Sequence, residues 1–166
     1  MQEYETGAPE TREELEQRYR RALDAAAKQL SYRALSEKAL HRKLLEKGHE
    51  EDAADYAAAW LLERGLLNDA ELAEASVRTF TRCGYGPLRI RQELRRRGIP
   101  DGLIDEALDG FDADLGRMTV LLDKRLRGDL SDRREVQKAV AALQRRGFRW
   151  DDIRRALDEY EASLEE

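Results

Sequence analysis

The sequence predicts an all-α protein built from three tandem three-helix repeats that form an elongated, curved helical array. Alanine, leucine, glutamate and arginine, which favour helices, are abundant, and only three prolines interrupt the chain. No segment alternates polar and apolar residues for long, so no strand is predicted. Three glycines, Gly48, Gly98 and Gly147, recur about every fifty residues, and each follows a basic helical stretch.

The residues around these glycines share one apolar pattern. A leucine stands four positions before each glycine, and an apolar residue stands six positions after it: Leu44, Leu94, Leu143, then Ala54, Ile104, Ile153. A glycine just past a helix adopts the left-handed conformation that closes the helix, and the next residue can pack back on it. The pattern therefore predicts a helix ending before each glycine.

Local signals place the remaining helix ends. Thr11 and Glu14 form a predicted capping box, Pro87 after Gly86 suits a first helical position, and Gly65 ends a helix with Leu66 packed back on Leu61. The nine predicted helices span residues 11–29, 36–47, 50–64, 69–82, 87–97, 101–109, 112–127, 132–146 and 150–163. They group into three repeats, 11–66, 67–110 and 111–166, after a disordered N-terminal segment, 1–10. A repeat of this size buries little core alone, so we expect neighbours to share apolar surface.

Charge is distributed unevenly along the chain. The net charge is −5, which is not typical of a DNA-binding protein. However, residues 89–97 hold five arginines and one glutamate, and residues 117–146 hold nine basic and four acidic residues, whereas residues 50–76 are strongly acidic. A basic patch concentrates phosphate whatever the net charge, and arginine also suits carboxylates on a protein partner. The open alternative is that these helices only present solvated faces.

Several functional classes are not favoured. Cys83 is the only cysteine, so an internal disulfide is not expected, and the acidic N-terminus does not look like a signal peptide. We expect a cytoplasmic protein with no membrane association. His41 and His49 lack paired cysteines, so no metal site is predicted. No catalytic constellation can be assembled, and neither enzymatic activity nor a cofactor is expected.

The turn at residues 84–87, Gly-Tyr-Gly-Pro, opens a predicted helix. It lacks the lysine and the serine or threonine of a nucleotide-binding loop. One interpretation is a tight turn before a proline-started helix. The other is a phosphate contact made by backbone N–H groups, with Tyr85 stacking on a base.

Residues 84–99 also resemble the central signature of the RecX regulatory proteins. Three further blocks agree in family order: residues 30–48, 65–69 and 143–153. At Asn68 the family more often has an aspartate. The resemblance implies tandem three-helix repeats, binding to RecA, a place in the groove of the RecA–DNA filament, and damped ATP hydrolysis and strand exchange.

The predicted function is therefore modulation, in the sense of inhibition, of RecA ATPase activity, filament growth and strand exchange. Expected partners are RecA and the RecA–single-stranded DNA filament, with weak direct DNA binding, and the protein is expected to be a monomer. The predicted binding residues are Tyr85, Arg89, Arg91, Arg95, Arg96, Arg97, Lys124, Arg125, Arg133, Arg134 and Lys138. Two other classes stay open: a helix-turn-helix-like DNA-binding regulator and a helical protein–protein adaptor.

Overall fold

A computed structural model of the chain describes residues 9–165, and all regular secondary structure in that range is helical. The helices are α1 (Arg12–Tyr32), α2 (Glu37–Glu46), α3 (Glu51–Glu63), α4 (Asp69–Arg82), α5 (Pro87–Arg96), α6 (Asp101–Leu108), α7 (Leu115–Leu126), α8 (Arg133–Arg145) and α9 (Trp150–Leu164). The predicted all-α class and the three tandem three-helix repeats are confirmed. Most of the predicted disordered segment, residues 1–8, lies outside the described residues, while Glu10 forms an ion pair with Arg18 at 2.8 Å.

The helix ends follow the local signals in the sequence. Thr11 and Glu14 form the complete capping box of α1, and Pro87 occupies the start of α5. Gly48, Gly98 and Gly147 have φ angles of +89°, +83° and +88°, the left-handed region that favours glycine. After each glycine the next backbone N–H donates to the leucine carbonyl inside the helix, which closes it in all three repeats.

Three details differ from the sequence-based expectation. Helix α1 continues to Tyr32 because no glycine or proline interrupts it there. Helix α7 begins at Leu115 rather than at residue 112, since the Asp114 carboxylate accepts the Arg117 N–H as its N-cap. The Leu66 side chain is 61% exposed, and Leu67 is buried in its place. The Leu66 N–H donates to the Leu61 carbonyl at 3.0 Å and closes the helix, while most of the Leu66 side chain stays in solvent.

Residues up to Asp69, with helices α1–α3, form one compact unit. Its core is rich in alanine, with Ala22 and Ala26 of α1 facing Ala53, Ala54 and Ala57 of α3 across a buried interface. Small side chains let helix axes approach closely, and leucines of α2 fill the remaining space. At the end of the unit, the Asp69 carboxylate accepts the Glu37 N–H at 2.9 Å and so caps α2 from the chain beyond α3.

Residues 70–166 form a second compact unit that holds two repeats. The second repeat packs around Ile90, Leu94 and Ile104, and the third repeat has its own core of larger side chains. Phe111 packs against both cores. The two repeats therefore share apolar surface, as the small size of each predicts.

Backbone contacts also join these two repeats. The Gly86 N–H donates to the Arg146 carbonyl at 2.8 Å, and the Leu88 N–H donates to the Gly147 carbonyl at 3.0 Å. A β-carbon on either Gly86 or Gly147 would overlap the facing backbone. The start of α5 is therefore fixed on the turn between α8 and α9. No helix in the described part of the chain is both long and apolar enough to span a membrane.

Candidate basic binding surfaces

The predicted arginines of α5 lie on a helix whose neighbour supplies carboxylates. Arg91 pairs with Asp105 at 2.6 Å, and Arg95 pairs with Asp101 at 2.7 Å, so both bridge from α5 to α6. The hydrogen bond from Arg95 lowers the pKa of Asp101 below its ordinary value. These two arginines therefore link α5 to α6 as well as adding positive charge, although exposed pairs of this kind contribute only about 0–1 kcal/mol each.

The other α5 arginines are also engaged within the repeat. Arg89 Nε lies 3.3 Å from a Glu93 carboxylate oxygen, and Arg96 lies 3.4 Å from the same oxygen. Arg97 donates to the Ser76 hydroxyl at 3.1 Å and lies over the Phe80 ring. Arg91 and Arg95 thus face α6, whereas Arg97, the C-cap of α5, faces α4. Nearby acids balance most of the positive charge of these arginines.

The turn before α5 is part of the internal packing. The Tyr85 ring is half-buried, with Phe80 on one side and the Arg89 guanidinium 5.3 Å from its centroid. The Gly86 and Leu88 N–H groups, which a phosphate would need, already donate to carbonyls of residues 146 and 147. This arrangement favours the tight-turn interpretation of residues 84–87.

The predicted cations of the third repeat are in a different electrostatic environment. Lys124 and Arg125 lie on α7, and Arg133 and Arg134 begin α8; all four are exposed. Within residues 9–165 no carboxylate oxygen lies within 4.0 Å of these four cations. Lys138 differs, because it pairs with Glu135 at 2.6 Å. Four of the five therefore have no internal counter-charge, and they keep their attraction for an external anion.

A groove of about 310 Å³ runs between α7 and α8 beside Lys124 and Arg125. Its other lining residues are Leu121, Ala139, Ala142, Leu143 and Arg146. Leu121, Lys124 and Arg125 are spaced i, i+3 and i+4, so they share one face of α7. The α8 residues are spaced in the same way and face them. Sequence reasoning missed this groove, although the helical spacing of its lining was visible.

Two arginines absent from the predicted set connect the second and third repeats. Arg117 donates to the Arg82 carbonyl at the end of α4, and Arg146 lies 3.4 Å from the Gly84 carbonyl. Helix ends leave carbonyl groups without partners and carry partial negative charge, so arginines stabilise them. A long-range cap of this kind leaves no local signal in the sequence.

No group of three or more histidine, cysteine, aspartate or glutamate side chains among residues 9–165 is arranged to hold a metal ion. His41 instead contacts the Asp55 carboxylate at 2.8 Å, across the α2–α3 pair. Cys83 is exposed at the end of α4.

Comparison with known proteins identifies the repeats. Family models described as the first, second and third three-helix domains of RecX match residues 22–61, 68–108 and 112–157. A protein named Regulatory protein RecX from Halorhodospira halophila is 39% identical over 135 residues, covering 80% of this chain and 84% of its own. The protein of the same name from Trichlorobacter lovleyi is 36% identical over 141 residues, covering 81% and 92%.

Solved structures agree with this assignment. The crystal structure of RecX from Lactobacillus salivarius superposes with a TM-score of 0.82 at 26% identity, covering 88% of this chain and 98% of that one. A second crystal structure of a regulatory protein RecX gives a TM-score of 0.78 at 26% identity, covering 92% and 81%. All three repeats are matched in order and across most of their length, and the chain belongs to the RecX family of regulatory proteins.

Proposed function

We propose that this chain binds RecA and RecA–single-stranded DNA filaments and inhibits their ATPase activity, growth and strand exchange without itself catalysing a reaction. The observation that supports this most directly is membership in the RecX family over all three repeats. The matched relatives are named regulatory proteins, and RecA is the partner implied by the family resemblance of residues 30–48, 65–69, 84–99 and 143–153.

The charge distribution adds a physical argument. A RecA–DNA filament repeats the same protein subunit and the phosphates of its DNA, so one small protein could contact several equivalent surfaces. Modest contacts made together increase the residence time through effective concentration. The unpaired cations Lys124, Arg125, Arg133 and Arg134 supply such contacts at little cost, because no internal ion pair has to be broken first.

Bridging neighbouring subunits would also explain inhibition. ATP turnover in a filament requires its subunits to move relative to one another. A protein that contacts two subunits in one arrangement stabilises that arrangement. Turnover slows only to the extent that the protein binds this arrangement more tightly than the other arrangements of the two subunits. A protein bound at a filament end would instead block the addition of the next subunit.

The decisive experiment is RecA ATPase activity on single-stranded DNA, titrated with this protein at substoichiometric amounts. We expect the steady-state rate to fall well before the two proteins reach equal concentration. Unchanged ATPase activity and filament length at a molar excess would refute the proposal. A bandshift on duplex DNA without RecA separates the alternatives, since sequence-selective binding there would favour a transcription regulator.

A further inference from the structure

We infer that the groove between α7 and α8 binds an acidic peptide segment of a protein partner and receives one apolar side chain of that segment. This inference deepens the proposed function and rests on it only for the identity of the partner. The groove lies entirely within the third repeat, and none of its lining residues needs to move to open it.

The floor of the groove determines the kind of ligand. Leu121, Ala139, Ala142 and Leu143 offer only hydrocarbon from their side chains, and Ala139 and Leu143 are almost fully buried. A phosphate placed on this floor would lose water without gaining a hydrogen-bond donor, which is unfavourable. A nucleobase is bound by aromatic stacking and hydrogen bonds, and the floor supplies neither. An aliphatic side chain gains free energy there because it removes apolar surface from water.

The rim determines the charge of the ligand. Lys124 and Arg125 stand on the α7 side, exposed and without an ion pair within residues 9–165. An apolar side chain flanked by carboxylates would satisfy floor and rim together. If a basic or neutral segment occupied the groove, Lys124 and Arg125 would lie beside it without a negatively charged partner. Electrostatic complementarity of this kind contributes more to binding specificity than to affinity.

Arg146, which lines the groove, is held in place by contacts from the second repeat. Its guanidinium is drawn toward the Cys83 and Gly84 carbonyls at the end of α4, at 3.5 and 3.4 Å. These contacts hold the Arg146 side chain at the C-terminal end of α8, where it lines the groove. On the α7 side, the groove is bordered by Lys124 and Arg125.

The test is an NMR titration of the ¹⁵N-labelled full chain with three probes. The first is a short peptide with one leucine between two runs of glutamate, the second has alanine in place of that leucine, and the third is an oligothymidylate of similar charge. We expect the leucine peptide to shift the amides of Ala139, Ala142 and Leu143 and to bind about tenfold more tightly than the alanine peptide, because it buries more apolar surface.

Variants separate the two parts of the site. Ala142→Phe fills the groove without changing charge and should abolish the difference between the two peptides. Lys124→Gln combined with Arg125→Gln should weaken both peptides, with the leucine preference retained. The matched control is Arg20→Gln with Arg21→Gln, which removes two adjacent exposed cations from α1 and should change neither affinity. Circular dichroism checks that each variant folds.

Three results would overturn the inference: equal binding of the two peptides, stronger shifts of the same amides by the oligothymidylate, or no shift at these amides with any probe. The RecA ATPase assay separates this failure from failure of the proposed function. If the peptides do not bind but wild-type protein inhibits RecA, the groove assignment alone is wrong. If the leucine peptide binds but RecA is unaffected, the groove stands as an acidic-peptide site and the proposed function does not.

Discussion

Gly147 and Arg89 lie so close together that a β-carbon on the glycine would overlap the backbone of the arginine. The contact joins the turn after α8 in the third repeat to the first turn of α5 in the second, between residues that are distant in sequence. A glycine that closes a helix needs only a left-handed backbone. Gly147 must also leave room for a neighbouring helix, so its tolerance to substitution is lower than its conformation alone indicates.

The first prediction is that Gly147→Ala destabilises the protein by about 2–4 kcal/mol, because left-handed strain adds to the forced separation of α5 from the α8–α9 turn. The matched control is Gly128→Ala in the same repeat. Gly128 has a φ of +80°, but its nearest obstacle is a leucine side-chain carbon at 3.7 Å, an ordinary contact. This control should cost about 1 kcal/mol. Urea unfolding measures the free energy of unfolding of both variants. Equal losses would mean that the close contact between Gly147 and Arg89 does not affect stability.

The second prediction concerns Tyr160, which is 3% exposed in the core of the third repeat. Its hydroxyl accepts the Gly128 N–H and donates to Asp123, both at 2.8 Å. Tyr160→Phe leaves these two groups without their partner, and we expect a loss of about 1–2 kcal/mol. Tyr56→Phe is the control, since Tyr56 is exposed and its hydroxyl has no hydrogen-bond partner within residues 9–165. Thermal unfolding that ranks the two variants in the opposite order would contradict this account.

The third prediction is a pH dependence in the first unit. The hydrogen bond from Arg18 lowers the pKa of Asp52 from 3.8 to about 2. A carboxyl group with a lowered pKa in the folded state stabilises the fold above its unfolded pKa, and this contribution is lost as the pH falls toward 2. Asp52→Asn should therefore reduce the melting temperature at pH 7, and its difference from wild type should shrink between pH 4 and pH 2.

Asp24→Asn on α1 is the comparison for this experiment, because Asp24 is exposed and makes no ion pair with any residue from 9 to 165. We expect its melting temperature to follow wild type across the same range. A deficit of Asp52→Asn that stays constant from pH 7 to pH 2 would show that the Arg18–Asp52 pair does not stabilise the unit through its charge.

The fourth prediction compares paired and unpaired cations. Lys124→Glu with Arg125→Glu should lower affinity for the RecA–single-stranded DNA filament by about tenfold at low salt, with a smaller loss at high salt, because screening weakens the contacts that the wild type makes. Fold stability should fall by about 1–2 kcal/mol at most, since no ion pair within residues 9–165 is broken but two acids replace bases in the last turn of α7. Fluorescence anisotropy at several salt concentrations measures the affinity. Reversal of Arg20 and Arg21 in the same way serves as the control, and an equal effect there would point to net charge alone.

The fifth prediction is that reversal of Arg95, Arg96 and Arg97 to glutamate weakens filament binding in a salt-sensitive way and also destabilises the second repeat. The second effect follows because Arg95 pairs with Asp101 at the start of α6 and Arg97 donates to Ser76. Urea unfolding and anisotropy must be measured on the same sample. A variant that is as stable as wild type and regulates RecA equally well would exclude this surface from binding.

Local signals accounted for most of the helix boundaries. The capping box at Thr11, the proline after Gly86 and the closing glycines each act within a few residues, so the chain alone predicts them. The errors at helix ends lay in the choice between neighbouring residues of the same kind, such as Asp112 and Asp114 before α7. After Gly65, likewise, Leu67 rather than Leu66 enters the core.

For the candidate surfaces, the sequence showed which residues are charged, and the structure showed which of them are paired. The runs of basic residues were visible in the sequence, and both were predicted to bind. The sequence did not show that Asp105 lies beside Arg91 and Asp101 beside Arg95, which reduces the free charge of the α5 surface. The groove between α7 and α8 was missed because its two walls come from different helices.

Composition, glycine spacing and the ordered motifs were enough to establish an all-α chain of three related repeats and its RecX family, because helix propensity, capping and periodicity are local properties. Only the tertiary structure showed which cations lack an ion pair within residues 9–165 and at which glycines a β-carbon would clash. It also showed that the second and third repeats share one compact unit. Those features depend on groups brought together from distant parts of the chain, and pair distances in space cannot be read from positions in sequence.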